Sequence, residues 1–170
     1  MKRFVSLAAV VFLAVGVLVA EPVVDGKVSA GEYSNSKSVL SGAGTLSWAG
    51  DGSGGLYIAL SVKAEGWAGV GLGAKRMNGA YIYMGFLGSD GKAVFSEQAG
   101  RGHTHRDSGK KTADKFSVTQ SGGLTVLEFH VPTANLPFTG NTVNFITAYS
   151  NSADLVTQHD DYDTGSFAKP

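Results

Sequence analysis

The chain has 170 residues, 14 basic against 14 acidic side chains, 24 glycines and no cysteine. That charge balance argues against nucleic acid, which requires a basic stripe, and against an anionic membrane surface. The absence of thiols excludes disulfides, Cys-ligated zinc, iron–sulfur clusters, a cysteine nucleophile and covalently attached haem.

The N-terminus reads as an export signal over residues 1–20. Lys2 and Arg3 form a positive start, Phe4 to Ala20 an apolar and small-residue run, and Glu21-Pro22 a polar, helix-stopping junction. Cleavage is expected after Ala20, with Leu18 at the third position before the cut. An uncleaved anchor is the alternative, although 17 residues lie at the lower limit for crossing a bilayer. Cleavage leaves one expected domain, residues 21–170, with 12 basic and 14 acidic side chains. The expected location is periplasmic or secreted.

Helical periodicity is nearly absent from the remainder. Short alternating runs bounded by Gly, Ser, Asn and Asp recur instead. Strands are predicted at Thr45–Trp48, Leu56–Val62, Trp67–Leu72, Ala80–Phe86, Ala93–Ser96, Lys115–Thr119, Leu124–Val131 and Thr142–Tyr149. Hairpin signals lie at Ser89-Asp90-Gly91 and Gln120-Ser121-Gly122-Gly123. Strands at this spacing, without crossover helices, predict an all-β fold: an immunoglobulin-like antiparallel β-sandwich. The low-complexity stretches are Gly42–Gly55, in which Ala49–Gly55 is too Gly-rich for a strand and reads as a loop, and the polar Ala99–Ala113, a loop long enough to be functional or mobile.

The residues able to carry chemistry are few. His130 alternates with Glu128 on the less apolar face of its strand and reads as solvated. His103 and His105 form an HxH pair; in a strand both point one way and can share a metal, with Asp107 nearby as an oxygen ligand. The plainer reading is a basic loop with two solvated histidines. His159 is followed by Asp160, Asp161 and Asp163, carboxylates able to orient an imidazole through its second nitrogen, although the plainer reading places it on the surface. Met77 is a lone apolar residue in a polar loop and reads as a plug at the end of the sandwich, whereas Met84, in mid-strand, reads as core. No GxSxG elbow and no HExxH motif supports a hydrolase.

Several segments resemble DOMON-type domains and the related family 9 carbohydrate-binding modules. They are Val24-Asp25-Gly26-Lys27-Val28-Ser29-Ala30-Gly31-Glu32-Tyr33, then Gly66-Trp67-Ala68-Gly69-Val70-Gly71-Leu72-Gly73, then Met77 through Gly85, and the late His159 segment. The resemblance implies an exported β-sandwich that binds either b-type haem, as in the cytochrome domain of cellobiose dehydrogenase, or sugar. Carried over residue by residue, it implies Met77 and His159 as axial ligands of a noncovalent haem b. Met/His ligation leaves no open coordination position, which suits electron transfer to an exported or membrane-bound redox partner. The expected haem site lies at one end of the sandwich, with apolar walls from Trp67, Tyr81, Tyr83, Phe86 and Tyr149. Asp160-Asp161 departs from the basic residue and glycine that often follow the family's histidine. A sugar-binding module would need Trp48, Trp67 or the tyrosines as an exposed stacking platform. A ligand-free interaction domain is the third reading, and none of the three is enzymatic.

Overall fold

The computed structural model describes residues 20–170; the export segment, residues 1–20, therefore falls almost wholly outside the described residues. No helix among the described residues is long and apolar enough to cross a membrane. Eleven strands run in chain order: β1 Asn35–Val39, β2 Gly44–Gly50, β3 Leu56–Val62, β4 Ala68–Leu72, β5 Tyr81–Leu87, β6 Ala93–Arg101, β7 Thr104–Asp107, β8 Lys115–Ser121, β9 Leu124–Val131, β10 Thr142–Tyr149 and β11 Asp161–Ala168. They form a five-stranded sheet ordered β1-β2-β3-β9-β8 and a six-stranded sheet ordered β11-β10-β4-β5-β6-β7. Every pairing is antiparallel, so the predicted sandwich is the observed one.

The core lies between the sheets. Leu56, Ile58, Leu60 and Val62 of β3 and Leu127, Phe129 and Val131 of β9 meet Val70 and Leu72 of β4, Tyr83 of β5 and Phe145 of β10. Tyr83 stacks on Phe129 with ring centroids 4.2 Å apart. Burying a large side chain of this kind contributes about 1.5–3 kcal/mol, so a core of this size holds the domain without disulfides.

Three strands lie outside the predicted set: β1, β7 and β11. All three are edge strands. Their sequences, NSKSV, THRD and DYDTGSFA, carry polar and charged residues, as edges do when they must resist pairing with another chain. An edge strand buries little, so the apolar alternation that marks inner strands is missing. The Ala99–Ala113 stretch is correspondingly no long loop. It contains the end of β6, a turn at Gly102 (φ +60°), and β7.

His130 also departs from expectation. It is 6% exposed and Glu128 is fully buried, although both face away from the sandwich core. The N-terminal segment covers this outer face. Glu128 accepts hydrogen bonds from the Gly26 amide (2.6 Å) and the Tyr33 hydroxyl (2.8 Å), and Thr119 donates to the Gly26 carbonyl (2.6 Å). His130 stands between Asp114 (Nδ1, 2.7 Å) and Asp51 (Nε2, 3.1 Å), with Tyr57 packed on its ring. A strand's own pattern cannot reveal a cover supplied from about a hundred residues away.

Candidate functional site

The outer face of the six-stranded sheet carries a second apolar cluster. Trp67, Ala80, Ile82 and Met84 are buried there, with Met77, Phe86, Ile146, Ala148 and Leu155 packed against them. The register explains the surface. One cross-strand row runs Thr164–Ile146–Gly71–Ile82–Gln98, and the next runs Tyr162–Ala148–Gly69–Met84–Ser96. Both rows are apolar in the middle and polar at the ends. Both carry a glycine on the central strand β4.

Those glycines make the floor a depression. A Cβ on Gly71 would meet Ile146 Cγ2 at 2.6 Å and Ala80 Cβ at 3.1 Å. A Cβ on Gly69 would reach Met84 Cγ and Trp67 Cζ3 at 3.5 Å, ordinary contact. Larger side chains at either position would occupy the space above the floor.

Loops from the two sides raise banks around it. On the β6–β7 side stand residues 75–78 and residues 102–106, the β6–β7 turn with the start of β7; on the β10–β11 side stand residues 155–159. Three strand spacings of about 4.8 Å separate β6 from β10, so the backbones of the two sides lie roughly 14 Å apart. The cleft, open to solvent above its floor, measures about 1330 Å³, above the roughly 300–1,000 Å³ of common small-molecule sites.

All four residues selected from the sequence line this one cavity: Met77, His103, His105 and His159. Met77 opens a tight turn in which the Ala80 amide donates to its carbonyl (3.0 Å) and Gly79 takes φ +86°, a value that glycine supplies without strain. The turn is fixed to the end of β6 by Gly79 N–H to the Gly100 carbonyl (3.2 Å) and Gly102 N–H to Asn78 Oδ1 (3.0 Å). His159 sits in a loop closed by Asp160, whose amide donates to the Tyr149 carbonyl (2.8 Å). The Asp160 carboxylate accepts from both the amide and the side chain of Asn151, each at 2.8 Å. The His159 ring lies 5.1 Å from that of Tyr162.

Several expectations are thereby corrected. The cavity lies on a sheet face, not at one end of the sandwich. Trp67 belongs to its wall, but Tyr81, Tyr83 and Tyr149 point into the main core, because alternate residues of a strand face opposite ways. Met84 is buried as expected, yet on the cavity floor. The aspartates after His159 do not orient it. Asp160 holds Asn151, Asp161 accepts from the Tyr162 amide, and Asp163 accepts from the amides of Leu40 and Thr164. His103 and His105 lie on the cavity's bank, and among the described residues no three His, Cys, Asp or Glu side chains converge on a metal position.

Other lining residues had no signal of their own in the sequence. Lys75, Arg76 and Arg106 line the cavity, no carboxylate does, and none of the three forms a salt bridge among the described residues. The cavity of a nearly neutral chain is therefore electropositive. The Trp67 indole nitrogen is buried without a hydrogen-bond partner, a donor left over in the wall. An apolar floor, a cationic rim, a thioether and imidazoles together fit a flat, largely apolar, anionic group with a metal at its centre.

The aromatic platform required for sugar stacking is not formed by the tryptophans. Trp67 is 3% exposed, and Trp48 is partly buried and stacks on Phe167 at 4.4 Å.

No protein-family profile and no curated protein matches the chain. Among solved structures, it resembles the cytochrome b domain of pyranose dehydrogenase from Coprinopsis cinerea, with a TM-score of 0.56 and 11% identity. That alignment covers 74% of this chain and 76% of the other. It also resembles the cytochrome domain of Myriococcum thermophilum cellobiose dehydrogenase, with a TM-score of 0.53, 13% identity and 75% of each chain covered. At such identities the likeness establishes the fold. It is the fold that the sequence resemblance implied.

Proposed function

We propose that this chain is an exported, DOMON-type b-type haem domain that transfers electrons, with Met77 and His159 as the axial ligands. One observation carries the reading. The Met77 turn and the His159 loop are far apart in sequence, yet they stand on opposite banks of one glycine-floored cavity. The likeness to two cytochrome domains supports it independently.

The chain's own residues would do the following work. Gly69 and Gly71 leave room for the macrocycle, and Ile82, Met84, Ile146 and Trp67 exclude water from it. Lys75, Arg76 and Arg106 attract its carboxylates. Without cysteine, retention is entirely noncovalent. Haem bound in this way supplies one-electron exchange at iron, and a thioether ligand raises its potential. With both axial positions filled by protein, the domain is a carrier and not an enzyme. Its partner is a redox protein, exported or membrane-bound.

The test is spectroscopic. The mature chain, expressed with haem available, should show a six-coordinate low-spin spectrum in both oxidation states. His159→Ala should abolish it, and Met77→Ala should remove its thioether–iron charge-transfer absorption. A chain that stays colourless after reconstitution with haem refutes the proposal.

A further inference from the structure

His105 is the cavity histidine held by a partner suited to a metal ligand. It lies on β7 opposite Gly100 of β6, and its ring faces the cavity. Its Nδ1 is hydrogen-bonded to Gln98 Oε1. The Gln98 amide nitrogen in turn donates to Ser96 Oγ (3.0 Å), which fixes the Gln98 carbonyl toward the histidine. A carbonyl oxygen only accepts, so Nδ1 carries the ring proton and Nε2 keeps its lone pair. Metal-ligating histidines are commonly oriented by such a partner on the second nitrogen. Half-burial also lowers the His105 pKa, favouring the neutral ring. His159 has no comparable partner among the described residues.

The position of His105 relative to Met77 defines its role. Met77 rests on Gly100: a Cβ built there would lie 1.8 Å from the Met77 carbonyl oxygen and 3.3 Å from Met77 Cγ. Gly100 is the ladder partner of His105. Met77 and His105 are therefore neighbours on the same bank, and His159 stands on the other.

We propose that His105 is a reserve axial ligand, which takes the haem iron through Nε2 when the Met77 thioether is absent from it. This rests on the haem reading above. The exchange replaces an iron–sulfur bond by an iron–nitrogen bond and moves no proton, because Nε2 is already unprotonated. The site thus has two coordination states, Met/His and His/His. The second has the lower potential, because the thioether that raises it is gone.

The test compares haem-loaded Met77→Leu with Met77→Leu/His105→Phe by absorption and electron paramagnetic resonance. The single variant should remain low-spin with bis-imidazole signals. The double variant should become high-spin and take up added imidazole. Met77→Ala, alone and with His105→Phe, repeats the comparison without the bulk of leucine. A high-spin single variant, or a low-spin spectrum that survives loss of His105, overturns the inference. If wild-type protein still shows thioether–iron charge-transfer absorption, that result leaves the haem reading standing. Wild-type protein that takes up no haem overturns both.

Discussion

The carbonyl oxygen of Met77 lies directly over the bare Cα of Gly100, where a Cβ would meet it at 1.8 Å. Backbone stands against backbone here, so no side-chain rotation relieves the clash. Gly100→Ala should push the Met77 turn off β6 and cost about 1–3 kcal/mol of stability. The loaded variant should lose its thioether-ligated spectrum, and thermal unfolding should report the destabilisation. An unchanged spectrum would show that Met77 is not held by this contact.

Gly69 offers a separation of folding from binding. A Cβ there makes only ordinary contacts, and glycine is disfavoured within a strand. Gly69→Leu should fold with wild-type cooperativity while filling the cavity. Haem affinity should fall about tenfold or more, as expected from an overpacking penalty of about 1–3 kcal/mol. Titration of apo-protein with haem measures it. Undiminished affinity would place the ligand away from this floor.

The cationic rim predicts a salt-dependent preference for carboxylates. Exposed charge pairs are each worth about 0.2–1 kcal/mol, so Lys75→Gln/Arg76→Gln/Arg106→Gln should weaken haem binding by about tenfold at low salt. Raising the ionic strength should narrow the gap between variant and wild type. The dimethyl ester of haem, with no carboxylates, should bind both proteins alike. If the wild type binds ester and acid equally tightly, the rim does not recognise the carboxylates.

Asp51 gives the opposite face of the molecule a measurable pH dependence. Burial alone would raise its pKa, but hydrogen bonds from the Ser53 amide and hydroxyl, the Gly55 amide and His130 together lower it to about 2. A carboxylate with a depressed folded pKa stabilises above its unfolded value, near 4. That stabilisation is lost as pH falls through about 2. Wild type should exceed Asp51→Asn by on the order of 1–2 kcal/mol at neutral pH, with the difference shrinking between about pH 4 and pH 2. Denaturant unfolding across that range checks it; a constant difference would deny the carboxylate this role.

Glu128 clamps the N-terminal segment to the outer sheet face. Glu128→Ala strands the Gly26 amide and the Tyr33 hydroxyl, each orphaned group costing about 1–3 kcal/mol. Limited proteolysis should then cut between residues 26 and 34 well before it cuts wild type. Glu128→Gln, which keeps one acceptor oxygen, should lie between the two. Equal protection of all three proteins would mean that other contacts hold the segment.

How much was legible in the sequence varied with position in the sheets. Inner strands such as β3 and β9 carry alternating Leu, Ile, Phe and Val because one face is buried in the core. Edge strands such as β11 lack that constraint, and the Asp161–Ala168 pattern gives no sign of pairing. The site followed the same rule. Met77 and His159 stood out through their surroundings and family resemblance, while Gln98 and Arg106 have meaning only beside residues that the sheet brings to them.

By itself, the amino-acid sequence determined an all-β chain without thiols, which no disulfide holds together and no cofactor reaches through cysteine. Alternation and composition are local properties, so they survive in one dimension. Only the tertiary structure decided that the cavity opens on the outer face of the six-stranded sheet, that His130 is covered, and that His105 stands beside Met77. Each depends on register and on loops folding back over a sheet, where residues far apart in the chain meet at van der Waals distance. The chain without cysteine thus places three of its four imidazoles and the Met77 and Met84 thioethers around one cationic, glycine-floored cavity.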